Sequence, residues 1–338
     1  MVEVAYQRIA SLKTVAAFRA YVAERGIDLK CDDAILTGEA SPLRQPLEVH
    51  GRPVGNRWAV QPMEGWDGTR SGGITEPMVR RWLRFGESGA KLIWGGEAMA
   101  IRLEGRANPN QLVINEENAA GIAHLRQTLL AAHRDRYGRT DDLLIGFQLT
   151  HSGRFCRPHD HRRPEPVVAY RHPLLDARFG VHSDAQILTD QEIPRLVEDY
   201  ARAARIAQRI GADFVDIKHC HGYLLNEFLG AHTRPGPYGG SFENRTRLLR
   251  EIVAAVRSEA PGLLIGVRLS GLDTVPFQPD PRHSRLGRPG PGVPVDFSGC
   301  LPYRYGFGVN AENPVEPDLT ETAQLLALLE ALDIRLVN

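Results

Sequence analysis

Six short apolar segments, near residues 58, 92, 144, 214, 264 and 334, alternate along this chain with longer stretches of helical spacing. The segments are apolar on both faces, the pattern of parallel strands covered by flanking helices. They read NRWAVQPM (56–63), AKLIWGGEAMAI (90–101), DLLIGFQLTH (142–151), ADFVDIKHC (212–220), GLLIGVRLS (262–270) and IRLVN (334–338). Helices are predicted between them at 74–88, 115–138, 188–211, 241–260 and 319–333. Thr75 is a candidate N-cap with Pro77 in the first turn, Thr189 and Glu192 have capping-box spacing, and Gly211 suits a C-cap.

Two connections are long and rich in Pro, Arg and His, roughly 152–187 and 271–318, and both follow strands. In a (β/α)8 barrel the loops after the strands build the active-site face, so long loops belong there. A doubly wound sheet would carry a glycine-rich phosphate turn after its first strand. Here that turn reads QPMEGWDG, which is not GxGxxG. The expected fold is therefore α/β, a TIM-type barrel, of which six strands can be counted where a closed barrel has eight. The expectation is a C-terminally incomplete barrel over 56–338, preceded by a leader over 1–55. ASLKTVAAFRAYVAERG gives the leader a helix, with Leu12, Val15, Phe18 and Val22 three or four apart.

Composition narrows the partners. Lys plus Arg number 41 and Asp plus Glu number 41, so no global field draws in nucleic acid or anionic lipid. No apolar run approaches bilayer-spanning length, and MVEVAYQRIASLKTV has no apolar signal core. The four cysteines, Cys31, Cys156, Cys220 and Cys300, form no CxxC pair. The reading is a reduced, cytoplasmic protein with no nucleic-acid or membrane partner. Cys156, His159 and His161 share one Arg- and Pro-rich loop, but no fourth ligand is evident and no metal is expected.

One corner concentrates polar groups. DIKHCHGYLLNEF (216–228) begins as a buried strand and ends as a helix. Alternation puts Phe214, Asp216, Lys218 and Cys220 on one face and Val215, Ile217 and His219 on the other. If the first face is interior, Asp216 and Lys218 are either a structural ion pair or the frame of a catalytic ammonium. His221 offers a donor for a substrate oxygen and Tyr223 a phenol that can supply a proton, with Gly222 allowing the turn.

With HGYLLNEFL and YGGSFENRTRLLREIVAAVR, and with NRWAVQPM, EAMAI, FQLTHSGR and VRLS in order, the chain resembles the Old Yellow Enzyme family from about 56 to 338. The resemblance implies FMN at the C-terminal mouth of the barrel, NAD(P)H as reductant, and a small-molecule substrate with an activated double bond. It implies that Gln61, Pro62 and Met63 line the flavin, that Ala98 contacts it, and that Gln148 hydrogen-bonds its pyrimidine edge. Arg268 would sit where negative charge gathers on reduction. Lys218 and His221 would hold the substrate carbonyl, and Tyr223 would protonate the α-carbon. The family usually has His-x-x-His or His-x-x-Asn at the clamp; Lys218 departs from this, with a charged ammonium in place of the fixed planar ring. The family's phosphate-binding backbone lies in strands seven and eight, which are not among the six counted here. Glu64 stands where relatives usually have Cys or Thr; tuning the flavin and pairing with an arginine are equal readings. RHSRLGRPGPGVPV (282–295) is flexible by composition.

Two other functions stay open at this point. Lys218 could serve a barrel lyase or aldolase as a Schiff-base nucleophile, or the chain could be a non-catalytic remnant. Assembly into a homo-oligomer is neither required nor excluded.

Overall fold

The computed structural model describes residues 7–338; the first six residues of the expected leader lie outside it. Near the start of the described residues, α1 (Val15–Glu24) is capped by Thr14, whose hydroxyl accepts from Ala17 N at 3.1 Å. A hairpin follows, β1 (Leu47–Val49) paired antiparallel with β2 (Arg52–Val54). Then the alternation begins: β3 (Ala59–Val60), α2 (Glu76–Glu87), β4 (Leu92–Ile93), β5 (Ala98–Ala100), α3 (Ala119–Tyr137) and β6 (Leu144–Thr150). It continues through α4 (Asp176–Phe179), α5 (Ile193–Arg209), β7 (Phe214–Ile217), α6 (Leu224–Leu229), α7 (Phe242–Arg245), α8 (Arg247–Glu259) and β8 (Leu264–Val267). A second hairpin, β9 (Phe277–Pro279) with β10 (Gly292–Pro294), precedes α9 (Thr320–Ala331) and β11 (Leu336–Val337).

The wall is a sheet with strand order β3-β4-β6-β7-β8-β11, all pairs parallel, with β5 also pairing to β6. Three expectations are refined. The single strand expected over 90–101 is two, because Gly95 and Gly96 adopt left-handed backbone between them. The helix expected over 241–260 divides at Thr246. The stretch 282–295, flexible by composition, ends in a paired strand, with Val293 opposite Gln278.

Alternation along the strands separates two cores. Ile145, Phe147, Val215, Ile217, Ile265 and Val267 face the helices and pack with residues such as Trp82, Ile122, Leu196, Tyr200 and Ile252. Trp94, Leu144, Phe214 and Leu336 face inward and form a separate cluster with Val54 of β2. The hairpin is further tied to the wall by Arg52, whose guanidinium meets Asp213 at 2.6 Å. Gly146 is required here: a Cβ at this position would lie 2.3 Å from the Phe214 ring. The wall can thus hold a phenylalanine inside, a burial that contributes roughly 1.5–3 kcal/mol.

Above this apolar layer the interior turns polar. Asp216, fully buried, accepts from Trp94 Nε1 at 2.8 Å, Gln148 Nε2 at 2.6 Å and the Arg268 backbone N–H at 2.6 Å. Burial pushes its carboxyl up from the usual range while the three donors pull it down. Trp94→Phe keeps the packing and removes one charge-directed donor. It is expected to cost about 1.5–3 kcal/mol, read as a lower urea midpoint with an unchanged m-value. Among the described residues no helix is long and apolar enough to cross a membrane.

Candidate active site

The strands deliver their last residues to one mouth. Lys218 extends β7 and donates its backbone N–H to Leu149 O at 3.2 Å; Arg268 directly follows β8 and its carbonyl accepts from His219 N at 2.7 Å. Beyond Lys218 the chain must turn into α6. Two successive left-handed residues do this, His221 at φ 66° and Gly222 at φ 67°. For a histidine this backbone costs roughly 1–2 kcal/mol. The turn is held by His221 N donating to Ser270 Oγ at 3.0 Å and Gly222 N donating to Asn226 Oδ1 at 2.7 Å.

Lys218 is 4% exposed, and the ion pair that the strand face suggested does not form. Asp216 is taken by its three donors. Lys218 Nζ instead stands 3.8 Å above the centroid of the Tyr223 ring and 4.0 Å from Glu64 Oε2. The Tyr223 hydroxyl donates to that same Glu64 oxygen at 2.6 Å. Among the described residues Glu64 pairs with no arginine; it joins the phenol and the ammonium. Burial pushes the Lys218 ammonium down from its ordinary value, and Glu64 opposes this. Burial first and Glu64 second push the Tyr223 phenol up. Both effects favour the protonated phenol.

The residues expected at a cofactor face lie around this cluster. Gln61 is exposed, and its Oε1 accepts from Asn338 Nδ2 at 2.5 Å, across the two edges of the wall. Pro62 is buried, and its carbonyl accepts a long 3.5 Å contact from Arg268 Nη1. Met63 is 60% exposed, though its carbonyl holds Ala98 N at 3.0 Å. Ala98 is buried beside Gln148, its partner in the β5–β6 register. Gln148 gives one of its two amide N–H groups to Asp216, and its oxygen remains as an acceptor. His221 is exposed; its ring centroid is 6.3 Å from that of Tyr223, and no described residue hydrogen-bonds its side chain. Burial, then Lys218 and Arg268, push its imidazole down. So Lys218, Tyr223 and Glu64 are in contact, while His221 borders them from the other side.

That side holds a cavity of about 330 Å³, lined by His221 and by Phe155, Tyr170, Asn226, Asp273 and Tyr305 among others. Its walls come from the two long loops and from the corner that carries His221, Asn226 and Glu227. The first loop is fixed by fully buried Arg154, which meets Glu227 at 2.5 Å and Asp176 at 2.6 Å. This buried network was not read from the sequence, although FQLTHSGR and LLNEF carry its opposite charges. In the same loop Cys156 is buried, while His159 is exposed and pairs with Glu165 at 3.0 Å.

The mouth suits a flat, electron-poor ring with acceptor atoms along its edge. Among the described residues Arg268 has no carboxylate within 4.0 Å, and its one side-chain hydrogen bond is the long contact to Pro62. Thr150 lies two residues beyond Gln148, on the same face of β6 by alternation. Its buried Oγ1 has no partner among the described residues. An underused cation, an orphaned hydroxyl, an amide oxygen and an exposed methionine are a donor set and platform that fit FMN.

Comparison with known proteins agrees. Residues 42–280 match the NADH:flavin oxidoreductase / NADH oxidase family. An NADH-dependent flavin oxidoreductase of Aspergillus parasiticus is 31% identical over 260 residues, covering 72% of this chain and 55% of the relative. An NADPH dehydrogenase of Clostridium acetobutylicum is 32% identical, covering 61% of this chain and 57% of the relative. Among solved structures, the Old Yellow Enzyme homologue of Zymomonas mobilis superposes with a TM-score of 0.55 at 28% identity, over 68% of this chain and 63% of that one. Morphinone reductase in complex with tetrahydroNAD gives a TM-score of 0.54 at 25% identity, over 67% and 63%. The chain spans about half the length of the curated relatives it matches. The fold is the TIM-type barrel of these neighbours, with six wall strands among the described residues. The chain belongs to the NADH:flavin oxidoreductase / NADH oxidase family, the Old Yellow Enzyme family that its corner motif resembles.

Proposed function

We propose that this protein is an FMN-dependent NAD(P)H oxidoreductase that reduces a carbon–carbon double bond conjugated to a carbonyl or similar group. The observation that carries the reading is the contact of Lys218, Tyr223 and Glu64 at the mouth that Arg268 borders. FMN, when bound, supplies hydride transfer from NAD(P)H to carbon. Pro62, Met63 and Ala98 would line it, with Gln61 at the wall's edge. Gln148 would accept from a ring N–H, its amide oriented by Asp216. Arg268 would face the edge that becomes electron-rich.

The remaining steps belong to the chain. Lys218 and His221 donate to the substrate oxygen, and the Lys218 charge counters the negative charge that grows there as hydride reaches the β-carbon. Tyr223 then gives its proton to the α-carbon. Hydride and proton together saturate the bond. The same reading divides the chain into a leader over 1–55 and the FMN-binding barrel over 56–338.

The test is Lys218→Met, which keeps the aliphatic stem over Tyr223 and removes the ammonium. Because Asp216 does not depend on Lys218, the protein should stay folded and keep its FMN. Its alkene-reduction rate should fall on the order of 10²-fold, roughly 3 kcal/mol. Melting temperature and flavin content measured beside the rate exclude a folding defect. An unchanged rate in a flavin-loaded variant would remove Lys218 from the mechanism. Desolvation of Lys218 also suits the Schiff-base reading. Covalent trapping of a carbonyl substrate on Lys218 by borohydride would favour that reading instead.

A further inference from the structure

Glu64 lies outside the groups assigned to substrate and flavin above, yet it touches both proton-bearing members of the clamp. We infer that Glu64 is a positioning residue that keeps Lys218 as an ammonium and Tyr223 as a phenol. The inference rests on the reading proposed above and deepens it. One carboxylate oxygen accepts the Tyr223 hydroxyl at 2.6 Å and stands 4.0 Å from Lys218 Nζ. The ammonium in turn lies 3.8 Å over the phenol ring. Ionising the phenol would put a second negative charge against Glu64. Deprotonating Lys218 would strip Glu64 of its cation. The triangle therefore resists both changes, and the proposed chemistry needs both protons in place.

The other groups around the clamp do not replace Glu64. Facing Lys218 are Cys220, Arg268 and Asp216. Arg268 shares the lysine's sign and favours loss of its proton. Asp216 favours the ammonium but is committed to Trp94, Gln148 and the Arg268 backbone. Burial raises the Cys220 thiol to about 11, so it brings no charge at neutral pH. Around Tyr223 stand Lys218, Cys156, Ser152 and the His221 ring. Cys156 is a buried thiol, also pushed up by burial. Within 4.0 Å of Lys218 Nζ, Glu64 is the carboxylate found among the described residues. Its side chain is 17% exposed, so it keeps contact with solvent while the lysine does not.

Glu64→Gln tests this, because the amide keeps the shape and removes the charge. The reaction that consumes the alkene depends on the Lys218 ammonium, so its rate falls as pH rises through the lysine's titration. In Glu64→Gln that alkaline limb should move to lower pH, and the rate near neutrality should fall about 10-fold or more. Glu64→Asp restores a carboxylate and should bring the limb back toward its wild-type position. A second readout needs neither FMN nor alkene: ultraviolet titration of tyrosine ionisation in the FMN-free protein, with Tyr223→Phe identifying the Tyr223 component. That component should appear at lower pH in Glu64→Gln. A limb that stays in place, or a Tyr223 component that does not move, would overturn the inference. If the wild-type protein reduces no alkene, the proposed function fails, and the tyrosine titration alone decides the role of Glu64.

Discussion

Tyr223→Phe is expected to slow alkene reduction by about 10²-fold or more while leaving flavin reduction by NAD(P)H near the wild-type rate. On the proposed reading the two halves of the turnover ask different things of the phenol. Protonating the α-carbon needs its O–H; reducing the flavin does not. The substitution is conservative where packing is concerned. Phenylalanine keeps the ring under the Lys218 ammonium and beside Phe155, whose centroid lies 5.6 Å away. What disappears is the hydroxyl and its bond to Glu64. Stopped-flow measurement of each half-reaction separates the effects. Equal losses in both would mean that Tyr223 holds the mouth together instead of donating a proton.

Arg154→Met should unfold far more easily than the wild type, by about 3–5 kcal/mol. Arg154 is 1% exposed and serves two carboxylates, Asp176 and Glu227, as well as the Tyr170 carbonyl at 3.1 Å. Methionine fills much of the volume but leaves Glu227 buried without its cation. Burial already raises Glu227 to about 6, with Arg154 opposing. The sign follows: a carboxyl raised above its unfolded value near 4.5 binds more protons in the folded state, so it costs stability as pH rises through that window. Losing Arg154 widens the window. The variant should therefore be most destabilised near pH 8 and less so near pH 5, where Glu227 takes up its proton. Denaturant unfolding at the two pH values checks this. A penalty independent of pH would mean that the defect is one of packing alone.

Faces were legible in the sequence; partners were not. Alternation placed Phe214, Asp216 and Lys218 on one side of the fourth apolar segment, and that side is indeed interior. It could not say that Asp216 would receive donors from residues 94, 148 and 268, because those contacts depend on strand register. The Asp216–Lys218 ion pair, one of the two readings of that face, does not form for this reason: the two lie two residues apart along the chain, but Asp216 points into a layer already supplied with donors. Glu64 and Tyr223 are 159 positions apart, and only the lateral pairing of parallel strands in the wall brings them to 2.6 Å. The break at Gly95 and Gly96 was visible as composition, yet left-handed backbone there is a tertiary outcome, since the approach of Gln148 leaves no room for a Cβ on Gly95. The roles of Gln61, Met63 and Ala98 rest on resemblance, since nothing in their own spacing singles them out.

The most direct test loads the protein with FMN, reduces it anaerobically with NADH or NADPH, and adds an α,β-unsaturated ketone while the visible flavin absorbance is followed. The account predicts that FMN fluorescence is quenched on loading. It also predicts that the absorbance returns when the ketone is added, with the saturated ketone as product. A protein that leaves FMN fluorescence unquenched, or whose reduced flavin is not reoxidised by any activated alkene offered, would contradict it.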